Sequence, residues 1–255
     1  MSKENTHLQQ IKIWEKEHEH PLAFKQMDEE KPSGGVIAFN DFLKSHSVNS
    51  SFGLEICCGK GRNTLCLSAQ GHHMSGFDFS SHAIKVAVER GKSKSVSTLL
   101  SVADATKSWK YQDNSFNFVI DCFGSCDIES DGGRLFAVKE TLRVLKPGGY
   151  FFVSTLSPND EYHTKSGIYK PTQHKNLFCH LKTGKLERAF DPEEMIEMYK
   201  VFKIIRWKKF LKNLNTLEKT TTVLIIIAFF KNLRLHFLLA PIPPTVYTTR
   251  HAYRR

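Results

Sequence analysis

From residue 36 onward, short apolar runs alternate with segments whose apolar residues recur at helical spacing. The runs at 53–57, 73–79, 98–102, 116–122 and 150–155 read as strands, and 220–230 reads as a closing strand. Between them, 62–69 reads as a helix, and Ile84, Ala87 and Val88 give the next helix a buried face with Gly91 as its stop. Leu135, Val138, Leu142 and Leu145 mark a third helix, stopped by Pro147-Gly148-Gly149. The order predicts a doubly wound α/β fold, mostly parallel, with helices on both faces. Ahead of it, residues 3–19 read as a polar helix, and Val36, Phe39 and Leu43 as a short one with one apolar face.

The stretch 157–190 lacks clean periodicity and is rich in Tyr, His, Lys and Asn. It is too long for an ordinary connection, so an inserted lid is expected there. Its end is well signalled. Asp191 can N-cap a helix, Pro192 suits the first helical position, Glu194 completes a capping box, and Phe190 with Met195 can form the hydrophobic staple. The expected organisation is a helical cover at 1–50, a main domain at 51–231 and a basic tail at 232–255, with disorder one reading of the tail.

Composition narrows the class of protein. Hydrophobic residues make up 40% and charged residues 24%, a globular balance. The longest apolar run, 223–230, is far short of the roughly 20 residues a membrane span needs. Residues 1–20 lack the apolar core of a secretory leader. The six cysteines form no CxxC pair or regular framework, so reduced thiols, a cytoplasmic setting and no metal site are expected. The net charge of +10 is concentrated at the end: residues 200–255 hold twelve Lys/Arg and one acid, Glu218. That segment fits either a patch for nucleic acid or anionic partners, or solvated lysines around late strands; no aromatic-interleaved RNA motif accompanies it.

The strongest chemical signal is Leu54-Glu55-Ile56-Cys57-Cys58-Gly59-Lys60-Gly61 at a strand-to-helix turn. Gly59 and Gly61 can take positive φ and let a ligand approach the backbone. A dinucleotide-binding Gly-x-Gly-x-x-Gly loop fails here, because Thr64 stands at the third glycine. Asp78 ends the second strand and is followed by Phe79; Asp104, followed by Ala105, comes after the third strand; Asp121 lies near the end of the fourth. In an open α/β sheet these positions share the carboxyl edge, where ligands bind.

The glycine turn resembles motif I of class I S-adenosylmethionine-dependent methyltransferases, acid-x-Gly-x-Gly-x-Gly, with Glu55 as the acid and Cys57 at the first glycine. Three further features are similar to that family: Gly76-Phe77-Asp78-Phe79-Ser80, Ala103-Asp104-Ala105, and Arg143-Val144-Leu145-Lys146-Pro147-Gly148-Gly149. The resemblance implies a Rossmann-like methyltransferase sheet with S-adenosyl-L-methionine as cofactor. Asp78 is then the ribose ligand and Asp104 the partner of the adenine amine. Glu55, Cys57, Gly59, Gly61, Phe79, Ala105 and Asp121 complete the cofactor set. It also implies methyl transfer to a small-molecule acceptor by in-line displacement. Asp121, Tyr162 and His163 are the catalytic candidates, although Asp121 can equally cap the following loop. Base methylation is disfavoured, because the segment after the fourth strand lacks the Asn/Asp-Pro-Pro-aromatic tetrad. RNA or protein methylation and a non-catalytic cofactor-binding module stay open as alternatives, and no oligomeric state is specified.

Overall fold

The computed structural model describes residues 3–20, 30–216 and 219–232. Helix α1 (Lys3–Glu19) comes first, then α2 (Gly34–Ser45), β1 (Phe52–Ile56), α3 (Arg62–Ala69), β2 (His73–Asp78) and α4 (Ser81–Ser93). β3 (Leu99–Val102), β4 (Phe116–Cys122), α5 (Asp131–Val144) and β5 (Leu145–Leu156) follow. The chain continues through α6 (Glu161–Thr164), β6 (Tyr169–Pro171), β7 (Leu177–His180), β8 (Leu186–Arg188) and α7 (Pro192–Met198), and closes with β9 (Lys203–Thr216) and β10 (Lys219–Lys231). The main sheet has the order β3-β2-β1-β4-β5-β10-β9. β1 to β5 run parallel, whereas β10 is antiparallel to both β5 and β9.

Strand alternation divides the core between the two faces of this sheet. Leu54, Ile56, Val119, Phe151 and Val153 join one cluster with Trp109, Val138, Phe190 and Met195. Phe118, Ile120, Tyr150 and Phe152 point the other way, onto Val36, Phe39, Phe42 and Leu43 of α2 and onto Leu67 of α3. Of the expected cover at 1–50, α2 is therefore a layer of the core, and α1 alone lies at the sheet's carboxyl edge. Phe190 and Met195 are both buried beside the start of α7, where the backbone N–H of Asp191 donates to Glu194 at 3.2 Å.

Several expectations are corrected by the packing. Leu135 is exposed, and the buried face of α5 is Arg134, Ala137, Val138, Thr141 and Val144 instead. Leu145 is buried as the first residue of β5 rather than the last turn of a helix. Gly91 does not stop α4, which runs on to Ser93. A Cβ at Gly91 would lie 3.2 Å from Leu65 Cδ2, so this glycine permits the close approach of α3 and α4. The aperiodic stretch 157–190 contains α6 and a three-stranded antiparallel sheet, β6-β7-β8. The closing strand has an unforeseen partner, β9, at the edge of the main sheet. Asn232 belongs to the core: its side-chain N–H groups reach the carbonyls of Leu145 at 3.0 Å and Lys146 at 3.2 Å. The rest of the expected tail, 233–255, lies outside the described residues.

Candidate active site

The turn from β1 into α3 has the conformation a close-approaching loop needs. Gly59 has φ 51° and Gly61 φ 77°, and Cys57 also has φ 51°. Cys57 thus adopts the left-handed backbone that a glycine takes without cost, the conformation that suits a glycine at this position of the motif and that costs a cysteine. The β4–α5 connection closes on this loop: a Cβ at Gly124 would lie 2.8 Å from Cys57 Cβ. Phe123, beside it, also has positive φ, 67°. Strained backbone of this kind persists where the surroundings over-determine it, as functional loops do.

Glu55 is buried beneath α3. Its carboxylate accepts from Asn63 Nδ2 at 2.7 Å and from the Thr64 hydroxyl. Burial pushes its pKa up to about 7, against the pull of those two donors. Thr64, the residue that breaks the dinucleotide pattern, is thus a donor that fixes the start of α3. Glu55 shapes the glycine loop from behind.

Asp78 ends β2 and Asp104 follows β3, both at the carboxyl edge of the sheet. Asp78 Oδ2 accepts the N–H of Gly59 at 2.9 Å, and Oδ1 that of Ser80 at 2.9 Å, so the carboxylate ties β2 to the loop while staying at the sheet edge. Phe79 is half-buried beside it. Asp104 Oδ1 accepts from Thr106 N and Oγ1, each at 2.8 Å, and Ala105 is buried. Burial alone would raise the Asp104 pKa; the hydrogen bonds from Thr106 and His7 prevail and hold it low.

His7, on α1, has one ring nitrogen 2.8 Å from Asp104 and the other 2.9 Å from Glu129. Burial opposes its protonation, but the Asp104 hydrogen bond and the charges of Glu129 and Asp104 outweigh it, and its pKa lies above 6.5. A raised pKa stabilises the docked helix fully at pH below about 6.5 and loses that contribution as pH rises through the shifted value. Hydrogen exchange of α1, corrected for its intrinsic pH dependence, should accelerate across that window. In His7→Ala it should be fast throughout; identical profiles for the two proteins would refute the latch.

The catalytic candidates fare unequally. Asp121 is buried, and its Oδ1 accepts the N–H groups of Gly124 at 2.9 Å and Ser125 at 3.0 Å, the loop-capping arrangement. Burial lifts its pKa to about 6. The side chain of Tyr162 lies outside the described residues. His163 is buried with its nitrogens 2.7 Å from Asp160 and 2.9 Å from Glu187. Burial opposes its charge, yet those carboxylates raise its pKa to about 9. A histidine that is protonated at neutral pH, with both N–H groups engaged, has no lone pair to take a proton, so His163 is a cationic strut rather than a base. Asp127, overlooked in the sequence, is half-buried beyond Gly124; its N–H donates to the Gly124 carbonyl at 3.0 Å, and its carboxylate accepts from the Cys126 thiol at 3.7 Å. Loss of water and the charge of Glu187 hold its carboxyl well above the usual range.

Residues 54–149 match the family described as methyltransferase domain. Over that stretch, well under half of the chain, the sequence is similar to methyltransferase domains. A demethylmenaquinone methyltransferase of Staphylococcus haemolyticus is 36% identical over 107 residues, 41% of this chain and 43% of that protein. The matched part therefore spans less than half the length of that relative. A S-adenosylmethionine-dependent methyltransferase from Methanosarcina mazei superposes with a TM-score of 0.59 at 23% identity, over 72% of this chain and 92% of its own. The 1,6-didemethyltoxoflavin-N1-methyltransferase of Burkholderia thailandensis superposes with a TM-score of 0.66 at 12% identity, over 91% of each chain. These likenesses show the Rossmann-like fold. Beyond the matched stretch, the chain adds α1 ahead of it and the β6-β7-β8 sheet after it. The expected polar helix at 3–19 is α1; nothing in hydropathy pointed to its buried face, because the residues that it buries are His, Gln, Trp and Glu. Among the described residues no helix is long and apolar enough to cross a membrane.

Proposed function

We propose that this protein transfers a methyl group from S-adenosyl-L-methionine to a small-molecule acceptor in a cytoplasmic setting. The observation that carries the reading is the convergence of the left-handed Cys57-Gly59-Gly61 loop, Asp78 and Asp104 at one carboxyl edge. The residues suit the cofactor. The loop backbone is open to close approach, and Asp78 offers carboxylate lone pairs for two ribose hydroxyls. Asp104 offers an acceptor for the adenine amine, with Phe79 and Ala105 beside it. The bound cofactor supplies a methyl already activated on a sulfonium, so the chain's task is to orient the acceptor in line and exclude water. The relatives named for a demethylmenaquinone and a didemethyltoxoflavin support a small-molecule acceptor.

On this reading Asp127, rather than His163, faces the acceptor and holds its polar hydrogen. Turnover is read as S-adenosylhomocysteine released with a library of hydroxyl and amine acceptors. Asp127→Asn should lower it by about 10²-fold, the low end for a positioned acid or base, while cofactor affinity stays within about twofold. Unchanged turnover would remove Asp127 from the acceptor site. Acceptor-independent silence in a wild-type protein that still binds cofactor would favour the non-catalytic module. RNA or protein as acceptor is less favoured, because much of the basic excess falls on β9, an edge strand where lysines discourage pairing with other sheets.

A further inference from the structure

We propose that the inner face of α1 binds the carboxylate at the amino-acid end of the cofactor, through the indole N–H of Trp14 and the ring of His18. This rests on the cleft being the S-adenosylmethionine site. The buried residues Gln10, Trp14, Glu17 and His18 share one helical face with the half-buried His7 and Ile11, and of these six only Ile11 is aliphatic. That is the composition of a binding wall rather than of a core stripe.

The helix is firmly seated along its length. His7 is held by Asp104 and Glu129 at one end. Gln10 donates to the Gly184 carbonyl at 3.1 Å and accepts the Leu186 N–H at 2.9 Å. Glu15 accepts from the Ser81 hydroxyl at 2.7 Å and the His82 N–H at 3.1 Å, at the start of α4. From His7 to His18 is about 16 Å of helix, enough to cross the cleft from the Asp104 side to the glycine loop.

Two nitrogens on this seated face have no hydrogen-bond partner among the described residues: Trp14 Nε1 and His18 Nδ1. Both side chains are more than nine-tenths buried, at 8% and 7% exposure. Buried polar atoms are nearly always satisfied, so orphans one turn apart on one face point to a missing ligand. Their place fits the amino-acid end. A Cβ at Gly59 would lie 3.4 Å from His18 Cε1, so His18 sits over the glycine loop. Lys185 Nζ lies 4.5 Å from the centre of the Trp14 ring. Burial, above the opposing charge of Asp78, lowers the His18 pKa, and Lys60, Glu15 and His82 also act on it; in the tautomer that carries hydrogen on Nδ1 the ring has an N–H to give. An indole N–H can only donate. Two ring N–H donors on one face suit an anion with oxygen acceptors, and would leave a cationic or apolar group unsatisfied.

The test is calorimetry on the full chain with three probes: S-adenosylhomocysteine, its decarboxylated analogue, and 5′-methylthioadenosine, which lacks the amino-acid end. Trp14→Phe keeps the ring and removes the N–H. It should weaken S-adenosylhomocysteine about tenfold or more while leaving the other two probes unchanged, as loss of a hydrogen bond to a charged group requires. His18→Leu, with melting temperature checked for both variants, should give the same pattern. Equal weakening of all three probes would mean a structural role, and no weakening would mean no contact; either overturns the proposal while leaving the cofactor site intact. Wild-type protein that binds none of the probes would overturn the site and this proposal together.

Discussion

Glu187→Ala should lower the melting temperature by about 6–20 °C, from a loss of about 3–5 kcal/mol. Glu187 joins two buried cations: His163 Nε2 at 2.9 Å and Lys185 Nζ at 2.9 Å. All three residues are at most 4% exposed, so solvent cannot replace the lost carboxylate. Asp160 keeps one side of His163, at 2.7 Å, but Lys185, beside the Trp14 ring, loses the carboxylate 2.9 Å from its ammonium. The group also joins α6 to β8, so the loss should appear first as faster hydrogen exchange in 157–190. The pH dependence has a fixed sign. The raised His163 pKa stabilises the fold fully below about 6.5, and that contribution fades as pH rises through about 9. Thermal denaturation of wild type and Glu187→Ala at pH 7 decides the matter. A difference of less than about 3 °C would show that the cluster is not holding the small sheet.

Asp78→Ala should weaken S-adenosylmethionine binding by roughly 10- to 100-fold, about 1.5–3 kcal/mol, in calorimetry. On the proposed reading, loss of direct hydrogen bonds to the ribose would account for part of this. The rest is positional, because Asp78 also accepts the N–H of Gly59 and so sets the loop that a ligand's backbone contacts depend on. Asp78→Asn separates the two. One amide oxygen can still accept, so its loss should be smaller than that of the alanine variant. Unchanged affinity in Asp78→Ala would remove the residue from the site.

What the sequence made legible follows from physical period. The five parallel strands and the glycine turn could be read because alternation and positive-φ residues are local signals. Where apolar side chains do not report burial, reading failed. Leu135 keeps the helical spacing of Val138 and Leu142, yet it lies in the first turns of α5, outside the covered face. β9 was hidden by its lysines, and β6 to β8 are too short, at three or four residues, to show a period. α1 reads as a solvated helix because its buried face is polar. The chemistry was legible to the same degree. Asp78 and Asp104 lie where strand ends put them, whereas Glu55 is withdrawn under α3, since alternation assigns a side chain to a face without saying which helix covers it. His163 looked like a lid histidine open to substrate; only the fold brings Asp160 and Glu187 to its two nitrogens.

A crystal structure of the protein with S-adenosylhomocysteine tests the central claim most directly. The account predicts the ribose hydroxyls within about 3.2 Å of the Asp78 carboxylate, a hydrogen-bond distance, and the adenine amine at Asp104. The amino-acid end should lie between the Gly59 loop and α1. Ligand density elsewhere on the chain, or a cleft that stays free of ligand at saturating concentration, would contradict it.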